Sequence, residues 1–279
     1  MNKLAAILAV VGTFMSGEFV YAQSSAGATE SYIGFDRNTY PGDENLAALR
    51  RDFSFAGYWL NVPPGATSNS WVGKRDALRK AGFGFLVLFN GRLDAELKKA
   101  KDAAELGRKD AASAVAAAQH DAFPAHTIIF LDVEEGGRML PEQKAYIYAW
   151  VDHLNEAGFR PGVYCSGIAA KESGGVEVIT ANDLRENANG RSIVFWVVND
   201  GCPPSPGCVL PEKAPPVSAS RLDFAQVWQF AQSPRRRDVA SGCRASYDRD
   251  GNCYAPATRD KKLFLDLDAA TSADPSGGR

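Results

Sequence analysis

Apolar residues along the chain gather into eight short runs, the first five separated by stretches with helical spacing. The run at 127–131 is the clearest: Thr127, Ile128, Ile129, Phe130 and Leu131 are followed at once by Asp132, Val133, Glu134, Glu135, Gly136 and Gly137. A segment apolar at consecutive positions marks a strand covered on both faces, as in a parallel sheet with helices packed outside. Runs at 32–37, 55–61, 83–89 and 160–165 share this character. Between them, Asp43 predicts a cap for a helix carrying Leu46, Leu49 and Phe53, and Ser70 a cap for one through Trp71, Leu78 and Ala81 that stops at Gly82. Residues 94–122, rich in Ala, Lys and Glu, predict helix broken near Gly107. Pro141 and Glu142 open another helix that ends at Gly158. Residues 166–189 predict a looser helical segment interrupted at Gly174 and Gly175. Beyond it the pattern changes, and 193–198, 225–230 and 263–267 read as strands with no evident helix between them.

Eight strands, five of them alternating with helices, predict an α/β chain: an irregular TIM-type (β/α) barrel of five βα units followed by three strands with disulfide-bearing loops. One barrel domain over 32–270 takes up most of the chain. Ahead of it, Lys3, the apolar run Leu4 to Met15 and Val20, Tyr21 and Ala22 before Gln23 have the pattern of a secretory signal over 1–22. Residues 23–31 are then expected to be a flexible arm, and 271–279, with Ser, Gly and Pro, a disordered tail. No other stretch has the length and apolarity of a membrane span. The expected product is a monomer, secreted or periplasmic.

The formal net charge of −2 argues against a nucleic-acid partner, which demands a basic excess on some face. No glycine-rich phosphate loop is present, so no nucleotide cofactor is expected. The cysteines suit an oxidising compartment, with local disulfides expected between Cys202 and Cys208 and between Cys243 and Cys253, leaving Cys165 as a packed free thiol. Asp248, Asp250 and Asn252 fall in the second of these loops, where they form either a plain turn or a Ca²⁺ loop that lacks the full ligand set.

The acids stand at strand ends. In a barrel such ends share one mouth, so Asp36 after strand one, Asp132 and Glu134 after strand four, and Asp266 with Asp268 at the end of strand eight are expected to converge. Period-two geometry puts Asp132 and Glu134 on one face. Carboxylates brought together and partly buried repel, which raises the pKa of one of them and makes a general acid. The same acids are also suited to capping a turn, binding a structural cation or pairing with Arg138. Tyr58, Tyr164, Trp196, Trp228 and Gln229, at the same ends, are candidates for stacking on sugar rings and binding hydroxyls, together with Asn90, Arg92 and Glu135. No zinc-ligand spacing and no nucleophile elbow is found. An acid-rich, aromatic cleft of this kind suits glycosidic bond cleavage.

Residues 33–36, 58–61, 84–92, 128–135 and 161–164 together resemble the bacterial glycoside-hydrolase-like domain called domain of unknown function 1906, a distant relative of the family 25 lysozymes. The resemblance implies a polysaccharide partner containing N-acetylated sugars, with Glu134 as general acid, Asp132 orienting the acetamido group or water, and Asp36 and Asp266 completing the cleft. It also implies that the acetamido oxygen can serve as the internal nucleophile. The lysozymes' Lys-x-Thr-Glu-Gly after strand two is here Asn61-Val-Pro-Pro-Gly65, and their Tyr-His-Phe on strand three is replaced by Leu88-Phe-Asn-Gly-Arg92, which implies a different glycan or none. Two functions follow: a hydrolase of peptidoglycan or a related envelope glycan, and a non-catalytic binder of such a glycan on the same barrel.

Overall fold

Leu86, Val87, Leu88, Ile129, Phe130 and Leu131 have almost no exposure, because the strands that carry them have apolar neighbours on both sides. The computed structural model describes residues 30–202, 210–232, 263 and 265–279, and these strands form the wall of a closed barrel. The strands are β1 (Tyr32–Asp36), β2 (Phe55–Trp59), β3 (Gly84–Asn90), β4 (Ile128–Asp132), β5 (Arg160–Ser166), β8 (Val194–Val198), β9 (Ala225–Ala231) and β10 (Asp266–Ala270). A small hairpin of β6 (Ala169–Lys171) and β7 (Glu177–Ile179) lies outside it. The helices are α1 (Leu46–Asp52), α2 (Arg75–Lys80), α3 (Asp94–Leu97), α4 (Ala103–His120), α5 (Pro141–Glu156) and α6 (Thr180–Glu186).

From β1 through β5, β8 and β9 the wall is parallel, and its C-terminal ends make one mouth. β10 closes the ring by pairing antiparallel with both β9 and β1. The expected strand 263–267 is thereby displaced and reversed in role. Asp266 and Asp268 lie at the beginning of the last strand, and they reach the mouth because that strand runs back from it, with Asp36 paired to Asp266.

Several local expectations change for identifiable reasons. Helix α2 starts at Arg75, and Ser70 instead uses its Oγ to accept the Tyr40 N–H at 2.9 Å. Asp43 opens a 3-10 turn before α1, where its carboxylate accepts Tyr40 Oη–H at 2.6 Å and pairs with Lys74 at 3.2 Å. The break in 94–122 falls between α3 and α4, where Asp102 caps α4 by accepting from Glu105 N at 3.0 Å. Gly107 sits inside α4 and allows it to cross α5, since a Cβ there would collide with the Tyr146 carbonyl. Gly174 and Gly175, both at positive φ, form the turn between β6 and β7, so 166–189 holds a hairpin and then α6.

Cys202 is a buried free thiol whose Sγ lies 3.9 Å from the Ser220 carbonyl oxygen, in place of the expected bridge; Cys165 is also free and buried. Cys208, Cys243, Cys253, the Asp248–Asn252 loop and the signal segment lie outside the described residues.

The tail is ordered, contrary to the expectation from its composition. β3 pairs with β4 only from Val87 onward, which leaves the Phe85 amide and carbonyl and the Val87 and Ile128 amides open at the lower end. Buried backbone groups must find partners. Asp274 Oδ1 accepts from Phe85 N at 2.8 Å and Ser276 Oγ from Val87 N at 2.9 Å, while Ser276 N donates to Phe85 O and Ser276 O accepts from Ile128 N. Arg75 donates through Nε and Nη2 to Gly278 O and lies over Phe123. Ser276→Ala strands the buried Val87 N–H, so a loss of about 1–3 kcal/mol is expected in urea denaturation. An unchanged midpoint would mean that the Val87 amide does not depend on the tail.

Candidate active site

Alternation along the strands decides which side chains enter the barrel. Gly34 and Asp36 on β1, Trp59 on β2, Leu88 on β3, Phe130 and Asp132 on β4, Tyr164 on β5, Trp196 on β8, Gln229 on β9 and Asp268 on β10 point inward. Gly34 and Gly162 leave room for the Phe55 and Phe130 rings, and a Cβ at either would run into its ring. Above this layer a cleft of about 120 Å³ opens at the mouth, lined by Asp36, Asp132, Glu134 and Asp266 with Trp59, Tyr164, Trp196 and Gln229.

The acids are held by few donors. Gln229 Nε2 donates to Asp36 Oδ2 at 2.8 Å, and its Oε1 accepts the Tyr164 hydroxyl at 2.8 Å, so the amide is fixed from both ends. Trp196 Nε1 donates to Asp268 Oδ1 at 3.1 Å. Among the described residues, no N–H or O–H reaches either oxygen of Asp132 or the second oxygen of Asp268, although both residues are buried. Their neighbours are other carboxyl groups. Asp268 faces Asp36 and Asp132 faces Glu134, pairs that become hydrogen bonds only when one member carries a proton.

Burial and mutual repulsion set the titration. Asp36 is pushed up to about 6, chiefly by burial and also by the Glu134 charge, against the lowering effect of hydrogen bonds to Gln229 and Asp268. Burial, then the charges of Glu134 and Asp36, holds Asp132 well above the usual carboxylate range. Asp268 is raised likewise, by burial and then by Asp36. The Glu134 carboxyl, turned toward the cleft and partly desolvated there, is raised by that desolvation and by Glu135, although its bond with Asp132 pulls the other way. Unlike the others, Glu134 is exposed at the rim.

Seven of the expected site residues meet here: Asp36, Asp132, Glu134, Asp266, Tyr164, Trp196 and Gln229. The other five do not. Tyr58 points outward and is fully buried beneath Trp71 and Phe123, donating to Asp121 Oδ2 at 2.6 Å. Its neighbour Trp59 faces the cleft instead; the signal was Gly57, which register places beside Asp36 and thereby puts Trp59 on the inner face. Trp228 and Gln229 are adjacent and cannot both point inward, and Trp228 donates to Asn199 O on the outside. Asn90 ties two loops together through Val62 O and Asn61. Arg92 forms a bidentate pair with Asp110 at 2.7 and 3.0 Å, beside a separate groove of about 430 Å³. Glu135 accepts from Asp94 N at 2.6 Å, at the start of α3. Asp268, which the sequence places with Asp266 at the mouth, is the deepest acid of the set, a burial that spacing along the chain does not report.

Residues 61–202, half of the chain, match the model of the Rv2525c-like, glycoside hydrolase-like domain. The chain belongs to this family. The barrel of this glycoside hydrolase-like protein recurs in solved structures of low identity. An uncharacterized B. stearothermophilus protein is 19% identical with a TM-score of 0.51, over 86% of this chain and 95% of its own. The Mycobacterium tuberculosis Tat-secreted protein Rv2525c, in complex with L-tartrate, is 12% identical with a TM-score of 0.50, over 86% and 94%. The Clostridium perfringens spore cortex lytic enzyme SleM is 14% identical with a TM-score of 0.50, over 87% and 68%. At these identities the likeness concerns the fold. No curated protein matches the chain.

Because the native Asp36 carboxyl titrates near 6 and an unfolded one near 3.8, the folded state loses stability as pH rises between those values. Asp36→Asn removes this loss while its side chain can still accept from Gln229. The variant is expected to exceed wild type by up to about 3 kcal/mol near pH 8 and to lose that advantage near pH 4, in urea titrations at both. A variant less stable than wild type near pH 8 would contradict the assignment of Asp36 as a strained acid.

Proposed function

We propose that this glycoside hydrolase-like domain is exported and hydrolyses O-glycosidic bonds in peptidoglycan or a related cell-envelope glycan, with Glu134 as the general acid. The observation that carries the reading is the contrast between Glu134 and the acids beneath it. Asp36 and Asp268 are buried and face each other, and Asp132 is buried and faces Glu134, whereas Glu134 is at the rim, protonated to higher pH than an ordinary glutamate, and open to an incoming glycosidic oxygen.

The chemistry follows from that contrast. Glu134 gives its proton to the leaving oxygen, and the cleft carboxylates stabilise the positive charge that builds on the anomeric carbon. Water supplies the hydroxyl to that carbon and a proton to restore Glu134. Asp132 faces Glu134 and is itself raised by the Glu134 charge, so the pair carries a proton within the cleft. The fold is compatible with this activity, since SleM is a spore cortex lytic enzyme on a similar barrel, and with export, since Rv2525c is Tat-secreted. A non-catalytic binder on the same barrel makes the opposite prediction for Glu134.

The test is mass spectrometry of soluble fragments released from purified peptidoglycan. Wild type is expected to release fragments with new reducing ends, and Glu134→Gln to lower the rate by about 10²-fold or more without unfolding. The rate should fall as pH rises through the Glu134 pKa, where the acid form is lost. Full activity in Glu134→Gln removes Glu134 from the mechanism, and silence from folded wild type on a panel of envelope glycans favours the binder.

A further inference from the structure

We propose that the cleft holds a hexosamine through a free, protonated amine, so that the glycan taken by this domain is de-N-acetylated at the unit bound there. This deepens the reading of the cleft as a saccharide site and rests on it. Five carboxyl groups reach the site: Asp36 from β1, Asp132 and Glu134 from β4 and its extension, and Asp266 and Asp268 from β10. Among the described residues that line the cleft there is no Lys, Arg or His. Among the described residues, the charge of Asp36, Asp132, Glu134 and Asp268 is therefore balanced only by protons, or by a cation that arrives with the ligand.

A second observation is independent of the charge count. Asp132 is 4% exposed, and neither of its oxygens has a donor among the described residues. Oδ2 of Asp268, which is 0% exposed, is in the same state. The donors that the protein does supply, Gln229 Nε2 and Trp196 Nε1, serve Asp36 and the other Asp268 oxygen. Buried acceptors without donors are costly, and a ligand that brings donors relieves that cost. An acetamido group brings one N–H and an oxygen that the carboxylates repel, whereas an ammonium brings three N–H donors and a positive charge. Trp59, Tyr164 and Trp196 wall the space with aromatic rings, which favour a cation further.

Binding and protons are linked. The ammonium enters as the carboxyl pairs give up the protons they share, and those protons pass to the buffer. The groups facing it are the five acids and the Tyr164 hydroxyl, of which Asp36 titrates near 6, so affinity falls as pH drops toward that value.

The experiment uses the full chain and two tetrasaccharides, of glucosamine and of N-acetylglucosamine, titrated near neutral pH by tryptophan fluorescence and calorimetry. The glucosamine form is expected to bind at least about tenfold tighter, with heat that varies with the buffer as protons are released. Asp132→Asn should abolish the preference, and Asp268→Asn should weaken it, with melting curves recorded for both so that misfolding is recognised. Equal or tighter binding of the N-acetylated form overturns the inference; fragment release from N-acetylated peptidoglycan would then leave the glycosidase reading intact. Amine-selective binding without fragment release from any substrate supports the inference and removes hydrolysis. Equal competition by a lysine-containing peptide would place the ammonium elsewhere than on a sugar and overturn it as well.

Discussion

The antiparallel pairing of β10 with β1 is the constraint on which the site depends, because it closes the barrel and sets two acids of the last strand against the acid of the first. A parallel closing strand would have carried Asp266 and Asp268 toward the opposite end. Instead Asp266 lies across from Asp36, and Asp268, two residues further in, faces the Asp36 carboxyl from inside the ring. The cluster is a consequence of topology. Its cost is also topological, because carboxyl groups drawn into one enclosed mouth lose water and repel one another, and they keep the protons they would shed outside.

The apolar frame makes that cost tolerable. Fully buried Trp71, Trp150, Trp196 and Trp228, with Phe35, Phe55, Phe83 and Phe85, form a core in which inward rings fill the barrel and outward rings seat the helices. At the lower end the C-terminal residues complete the hydrogen bonds that β3 and β4 leave open, so the end opposite the mouth is stabilised by contacts that have no part in the site. Strain at one end and satisfaction at the other is the arrangement expected where a functional site holds groups that folding alone would reject.

Burial within the cleft is graded, and the gradient separates roles among chemically similar groups. Asp268 is enclosed, Asp36 and Asp132 are nearly so, and Glu134 meets solvent. Gln229, held between the Tyr164 hydroxyl and Asp36, is a neutral side chain that links the two sides of the ring across the site. It fixes which Asp36 oxygen is occupied and therefore which one is left for a proton.

Much of this was legible in the chain itself. Runs that are apolar at every position can only be strands covered on both faces, and five of them alternating with helices leave a barrel as the economical arrangement. Acids that end such runs must reach the mouth, which is why spacing alone brings Asp36, Asp132 and Glu134 to one cleft. Other features have no local signal. Whether Tyr58 or Trp59, and Trp228 or Gln229, faces the interior depends on register with neighbouring strands, and a period of two fixes only that they differ. The order of residues 271–279 is set by unpaired amides far away in sequence, and composition does not report it. The sequence by itself determined the strands, their covering helices and the presence of acids at their ends. Only the tertiary structure decided the direction of the last strand, the face each aromatic shows and the depth of each carboxyl, because these depend on which strands become neighbours when the ring closes.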